Sequence, residues 1–160
     1  MKDKIMGVME KFSKAMVQPL SYISVAGMIL VIGVLLTNTT ITGMLTFLQA
    51  APIQLAGNLL YQCIMAIINN LGLIFAVGIG AALAKKEKHQ AAMVGLLAYI
   101  MFLTANNVTL STNGLLAEPS AMLGLYGTGQ STVLGMQVTD MGVFSGIILG
   151  CLTGYVFNKT

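Results

Sequence analysis

Charge is what this 160-residue sequence has least of. Asp, Glu, Lys and Arg make up 8% of it, against about 25% in an ordinary soluble domain, while 56% of its residues are hydrophobic. That excludes a soluble globular protein. Histidine occurs once, at His89, inside a lysine-rich connection with no acid or nucleophile at a defined spacing, so it reads as a solvated loop residue. Two cysteines, Cys63 and Cys151, each stand in an apolar run without CxxC spacing or a neighbouring histidine. A metal site is excluded on that ground, and both read as small packing residues. No Ser/His/Asp set and no paired carboxylates are present, so no catalytic residue, phosphoryl acceptor or cofactor is expected. The net charge of +3 comes without an arginine stripe or an aromatic-interleaved basic face, which excludes a nucleic-acid partner.

The charges that are present gather mostly in two clusters, Lys2 to Lys14 and Lys85 to Lys88, and leave long stretches with nothing that prefers water to hydrocarbon. The sequence is that of an integral membrane protein in a lipid bilayer. Ile5, Met9, Phe12 and Met16 recur at spacings of four, three and four with lysines elsewhere on the wheel, which predicts an interfacial amphipathic helix over residues 1–14. A first span follows from Ala15 to Leu36, with Pro19 near its start. It is longer than the roughly 7 to 15 apolar residues of a signal peptide, so it is expected to remain as a span.

Thr37 to Thr42 reads as a polar turn, and Met44 to Ala51 as an apolar patch too short to cross. The run from Ile53 to Ala84 carries no charge and is interrupted at Asn69, Asn70 and Gly72. Crossing once puts Lys85, Lys86 and Lys88 on the side of Lys2 to Lys14; crossing twice puts them opposite. One net crossing is expected, because lysines beside spans stay in the cytoplasm. Ala91 to Ala105 is a third span. Asn106 to Thr139 is rich in Gly, Ser, Thr and Asn, with Pro119 as a breaker and a weakly apolar middle from Leu115 to Leu125, and reads as an extracellular loop with a possible re-entrant piece. Met141 to Phe157 is the last span. The expectation is thus an all-α, polytopic membrane protein with about four transmembrane helices, broken or re-entrant segments, and both termini cytoplasmic.

Gly142, Gly146, Gly150 and Gly154 repeat at intervals of four in the last span and lie on one helix face. Such a stripe lets another helix approach closely, within the chain or between subunits of a homodimer. Asn69 and Asn70 are amides inside an apolar run and must face protein, a cavity or each other, either as an interhelical hydrogen bond or as the wall of a solute path. Asp140 opens the last span, where a carboxylate suits the positive end of the helix dipole; solute contact is its alternative role. The run G-L-Y-G-T-G-Q-S at Gly124 to Ser131 comes close to a phosphate-binding loop but has Gln130 where lysine would reach the phosphates, so it reads as a loop.

Three segments, F-S-K-A-M-V-Q-P-L-S-Y-I-S-V-A-G at Phe12 to Gly27, N-L-G-L-I-F-A-V-G-I-G-A-A-L-A-K at Asn70 to Lys85 and D-M-G-V-F-S-G-I-I-L-G at Asp140 to Gly150, carry a resemblance. In order and spacing they resemble the N-terminal half of component IIC of a sugar permease of the phosphoenolpyruvate-dependent phosphotransferase system (PTS), in its glucose, maltose and alpha-glucoside branch. The resemblance implies that residues 15–160 are the N-terminal part of a IIC transmembrane domain in the bacterial cytoplasmic membrane. Its substrate would be a sugar, a glucoside or disaccharide, handed to cytoplasmic IIB and IIA components. In that family the sugar-gripping glycine-isoleucine-threonine-glutamate segment and histidine belong to the second half, which has no counterpart here. The resemblance therefore implies a split or truncated IIC subunit, inactive alone and dependent on a C-terminal half. A reading from another class is a noncatalytic four-helix membrane assembly module held by the glycine face.

Overall fold

The computed structural model describes residues 1–116, 125–126 and 129–160. Among them are six α-helices: α1 (Lys2–Thr37), α2 (Thr39–Met44), α3 (Ala51–Asn69), α4 (Leu71–Leu83), α5 (Lys88–Thr112) and α6 (Gly142–Lys159). Three short strands, β1 (Leu125–Tyr126), β2 (Gln130–Val133) and β3 (Met136–Thr139), pair antiparallel in the order β1-β2-β3. By length and composition α1, α3 and α5 can each cross a membrane, and α4 is a shorter apolar helix. At about 1.5 Å per residue its 13 residues reach roughly 20 Å, short of a hydrocarbon core of about 30 Å. The framework is an all-α, polytopic membrane protein.

Where an interfacial helix and a separate first span were expected, α1 runs without a break from Lys2 to Thr37. Nothing between residues 14 and 15 disfavours helix, and Lys14 pairs with Glu10 at 2.8 Å across one turn. Pro19 lies inside the helix and is buried. The inward positions Phe12, Ala15, Met16 and Pro19 follow one another at helical spacing, in phase with the pattern seen in the sequence.

Two compact units divide the chain, one of residues 1–19 and 69–160 and one of residues 20–68. In the second unit the C-terminal part of α1 meets α3 through glycines. A Cβ on Gly33 would come within 3.1 Å of the Tyr61 backbone nitrogen, and one on Gly57 within 2.8 Å of the Leu36 Cβ. The turn between them is closed by side-chain amides. Asn38 caps α2 by accepting from the Thr40 N–H, and Gln54 Nε2 donates to the Leu36 and Leu48 carbonyls, both at 2.8 Å. One of those carbonyls is an orphan at the end of α1, which is why an amide serves there. The apolar patch expected at Met44 to Ala51 holds a 3₁₀ turn at Thr46–Gln49.

In the first unit α4 is the central helix, with Ala76 and Ile79 wholly buried. It packs parallel to α6 and antiparallel to α5. On the α5 side the small residues Ala91 and Gly95 admit the α4 backbone: a Cβ on Gly95 would lie 2.9 Å from the Ala76 carbonyl oxygen. The α5 helix outruns the expected third span at both ends. Thr104, Thr109 and Thr112 each return their hydroxyl to the carbonyl four residues back, so these polar residues stay helical instead of starting a loop.

The small sheet is the element that the all-α expectation omits. Thr132-Val133 and Val138-Thr139 put β-branched residues on both sides of Leu134-Gly135, whose φ values of 50° and 78° make a two-residue turn with both centres left-handed. That turn matches the twist of the strands on either side. Pro119 and most of the apolar stretch at Leu115–Leu125 lie outside the described residues, as does much of Gly124–Ser131.

Candidate functional site

The α6 stripe and α4 meet at a constant offset. A Cβ on Gly146 would overlap the Gly72 carbonyl oxygen, one on Gly150 would lie 3.0 Å from the Ala76 carbonyl oxygen, and one on Gly154 would lie 3.4 Å from that of Gly80. Each pair is 74 residues apart, so the two helices run parallel with small residues facing small residues. Backbones this close leave no room for side chains, and the glycine face is covered by α4 of the same chain. Gly142 stands differently. A Cβ there would meet nothing within 4 Å, but its φ of 54° is a conformation that favours glycine.

This packing brings the N-terminal ends of α4 and α6 and the C-terminal part of α5 together, and a cluster of polar residues forms there. Asn69, Tyr99, Thr139, Asp140 and Ser145 line one small cavity. Tyr99 and Ser145 form its floor, 2% and 5% exposed, and Asp140 stands exposed at its rim. The Tyr99 hydroxyl lies over Gly72, where any Cβ would displace it. At about 20 Å³ the cavity holds a single water and not a sugar ring.

Asn70 is not in the cavity wall. Its Oδ1 accepts from the Leu134 N–H at 3.0 Å and so ties the start of α4 to the β2–β3 turn. Two further asparagines do the same from α5. Asn106 Oδ1 accepts from the Thr139 N–H at 3.1 Å, and Asn107 Nδ2 donates to the Gln137 carbonyl at 2.7 Å. Gln137 in turn donates to Gln130 Oε1 at 2.7 Å, and Gln130 donates to the Leu115 carbonyl at 2.7 Å. Asp140 Oδ1 accepts from the Gly142 N–H at 3.1 Å, meeting a free donor at the start of α6. Among the residues singled out in the sequence, Asn69, Asp140 and Gly142 share the cavity, and Asn70 serves the hairpin above it.

Tyr99, Ser145 and Asn106 were not singled out from sequence. The signal that finds Tyr99 is its place in the series Ala91, Gly95, Tyr99, Leu103, all buried on one face of α5. The asparagines sit in a polar run that reads as loop until the helix is seen to continue through it. At the other end of the unit, Asn158 fixes α6 to the loop after α4. It donates to the Leu83 carbonyl at 2.8 Å and accepts from the Lys85 N–H at 2.7 Å. Lys85 and Lys159 therefore stand at one end of the helices, and the polar cavity stands at the opposite one.

A small-residue helix pair with an amide-rich cluster at one end and lysines at the other suits a solute-handling membrane protein, and comparison with known families decides which. The family model described as Phosphotransferase system, EIIC matches residues 13–160. The chain belongs to that family. An EIIC protein is a membrane-embedded sugar-transport component of a phosphotransferase system, with a sugar as substrate and IIA and IIB components as partners. Multi-pass insertion agrees with the apolar helices α1, α3 and α5. The match includes every polar residue of the EIIC cluster just described, from Asn69 to Ser145.

Proposed function

We propose that this EIIC chain builds one wall of a sugar path, with Asn69 and Asp140 facing the solute and Asn70 holding the hairpin that roofs it. The observation that carries the reading is the shared cavity of Asn69, Asp140, Tyr99 and Ser145 at the meeting point of α4, α5 and α6. Amide, carboxylate and hydroxyl groups are what a carbohydrate's hydroxyls pair with, and an apolar membrane interior holds such groups only where they are partnered. The substrate is a glucoside or disaccharide, in keeping with the glucose, maltose and alpha-glucoside branch that the motifs resemble. The sugar is gripped by a C-terminal IIC segment that this chain complements, since the cavity by itself has room for one water.

The lysine end faces the cytoplasm of a bacterial cell, with both termini inside, and the polar cavity opens outward. What supports this is the separation of the two ends within one unit and the retention of lysines on the cytoplasmic side of membranes. Reporters fused after Lys88 and after Gly114 test it: the first is expected inside and the second outside, and the reverse would overturn the orientation.

Phosphorylating uptake of a labelled alpha-glucoside tests the function. Cells with IIA, IIB and a complementary IIC segment are expected to accumulate sugar phosphate when this chain is supplied, and cells with these 160 residues alone are not. Asn69→Ala and Asp140→Asn are each expected to lower uptake about tenfold or more. Full uptake by both variants would remove these residues from the path.

A further inference from the structure

A second cavity, unrelated to the polar cluster, opens at the lysine end of the first unit. It has a volume of about 720 Å³, within the range of about 300–1,000 Å³ typical of ligand sites. Its walls are apolar: Val8, Met9 and Phe12 come from α1, Leu83 from α4 and Tyr155 from α6. Val8 and Met9 remain 58% exposed and Tyr155 68%, so these side chains form a lining and do not fill the space between them. Lys11, Lys85 and Lys159 share that lining. Among the described residues the one ion pair joins Lys14 to Glu10, which leaves the three groove lysines without an acidic partner. Asn158, also in the lining, fixes Leu83 and Lys85 against α6 through two hydrogen bonds.

These features constrain the occupant from two directions. A free anion would satisfy the ammonium groups and leave the apolar walls wet. A purely apolar ligand would cover the walls and leave three ammonium groups without a counter-charge. An amphiphile with an anionic head meets both demands, and the solvent of a membrane protein supplies one. We infer that this groove binds an anionic phospholipid, with the phosphodiester among Lys11, Lys85 and Lys159 and an acyl chain along Val8, Met9, Phe12 and Tyr155. Lysine suits the role because its long stem lies along apolar surface while the charge reaches the headgroup level.

Native mass spectrometry of the purified 160-residue chain in a non-sugar detergent, titrated with phosphatidylglycerol or phosphatidylcholine of identical acyl chains, tests this. Phosphatidylglycerol is expected to bind at least tenfold more tightly. Lys11→Gln, Lys85→Gln and Lys159→Gln are each expected to weaken it about fivefold, and the triple variant about a hundredfold. Lys→Arg at the same positions retains binding, and Lys2→Gln, outside the groove, leaves it unchanged. Soluble glycerol phosphate at millimolar concentration is expected not to displace the lipid. Equal affinity for the two lipids, or an unaltered triple Gln variant, would overturn the proposal. Displacement by glycerol phosphate would overturn it in favour of a free-anion site, and a dimer that excludes phosphatidylglycerol would overturn it in favour of a second copy of the chain.

Discussion

Gly146 rests on Gly72. The α6 backbone passes so close to α4 at this point that a single added carbon would take the place of the Gly72 carbonyl oxygen, and the cavity lined by Tyr99 and Ser145 adjoins this contact. The packing of two glycines therefore fixes both the pitch of the helix pair and the position of the polar cluster above it. In lipid, where no hydrophobic gain draws helices together, such backbone contact is a main source of association.

Gly146→Ala is accordingly expected to destabilise the fold by about 1–3 kcal/mol, because the backbone of α4 cannot give way as a flexible side chain would. Gly27→Ala makes the control: a Cβ there meets nothing within 4 Å, and the substitution is expected to be neutral or to gain about 0.5–1 kcal/mol. Thermal unfolding in detergent compares the two. Equal effects would mean that the glycine stripe is not a packing surface.

Asn70→Ala removes the acceptor of the Leu134 N–H. A loss of about 1 kcal/mol is expected, localised in the hairpin, so that hydrogen exchange at the Leu134 amide accelerates while that of the α4 interior does not.

Leu134 itself occupies a left-handed conformation at φ 50°, where a branched hydrocarbon side chain has nothing to gain, and it is 44% exposed. Leu134→Asn gives the Asn-Gly pair that such turns favour and is expected to raise stability by about 1 kcal/mol. A fall in melting temperature would contradict the turn geometry.

Gln54→Ala leaves the Leu36 and Leu48 carbonyls without their shared donor and is expected to cost about 1–2 kcal/mol in the unit of residues 20–68. Gln54→Glu keeps the size but turns a donor into an acceptor, so it is expected not to restore stability. Limited proteolysis of the turn between α1 and α3 distinguishes these outcomes.

The apolar runs and glycine spacing made the helices legible in the sequence, because a period of four and a lack of charge survive translation into any membrane fold. The break at Asn70 was legible for the same reason: two amides in an uncharged run mark a place where the helix stops. The continuity of α1 was harder to read, since lysines near its start resemble an interfacial segment even when the helix never ends. The hairpin was hidden because Thr, Gly, Ser and Asn signal loops and also short strands, and its strands are held by asparagines that come from α5. Of the polar cluster, Asn69 and Asp140 were visible as anomalies. Tyr99 and Ser145 were not, because an aromatic residue and a serine on buried helix faces look like packing until a cavity is found beside them.

The most direct test of the account is sugar protection at position 69. In a Cys63→Ser, Cys151→Ser background, Asn69→Cys is labelled with a membrane-impermeant maleimide, with and without maltose or methyl alpha-glucoside and with the complementary IIC segment present. Ser111→Cys in the same background, exposed near the C-terminal end of α5, serves as reference. The account predicts that sugar slows labelling at position 69 severalfold and leaves position 111 unaffected; labelling at position 69 at the same rate with and without either sugar would contradict it.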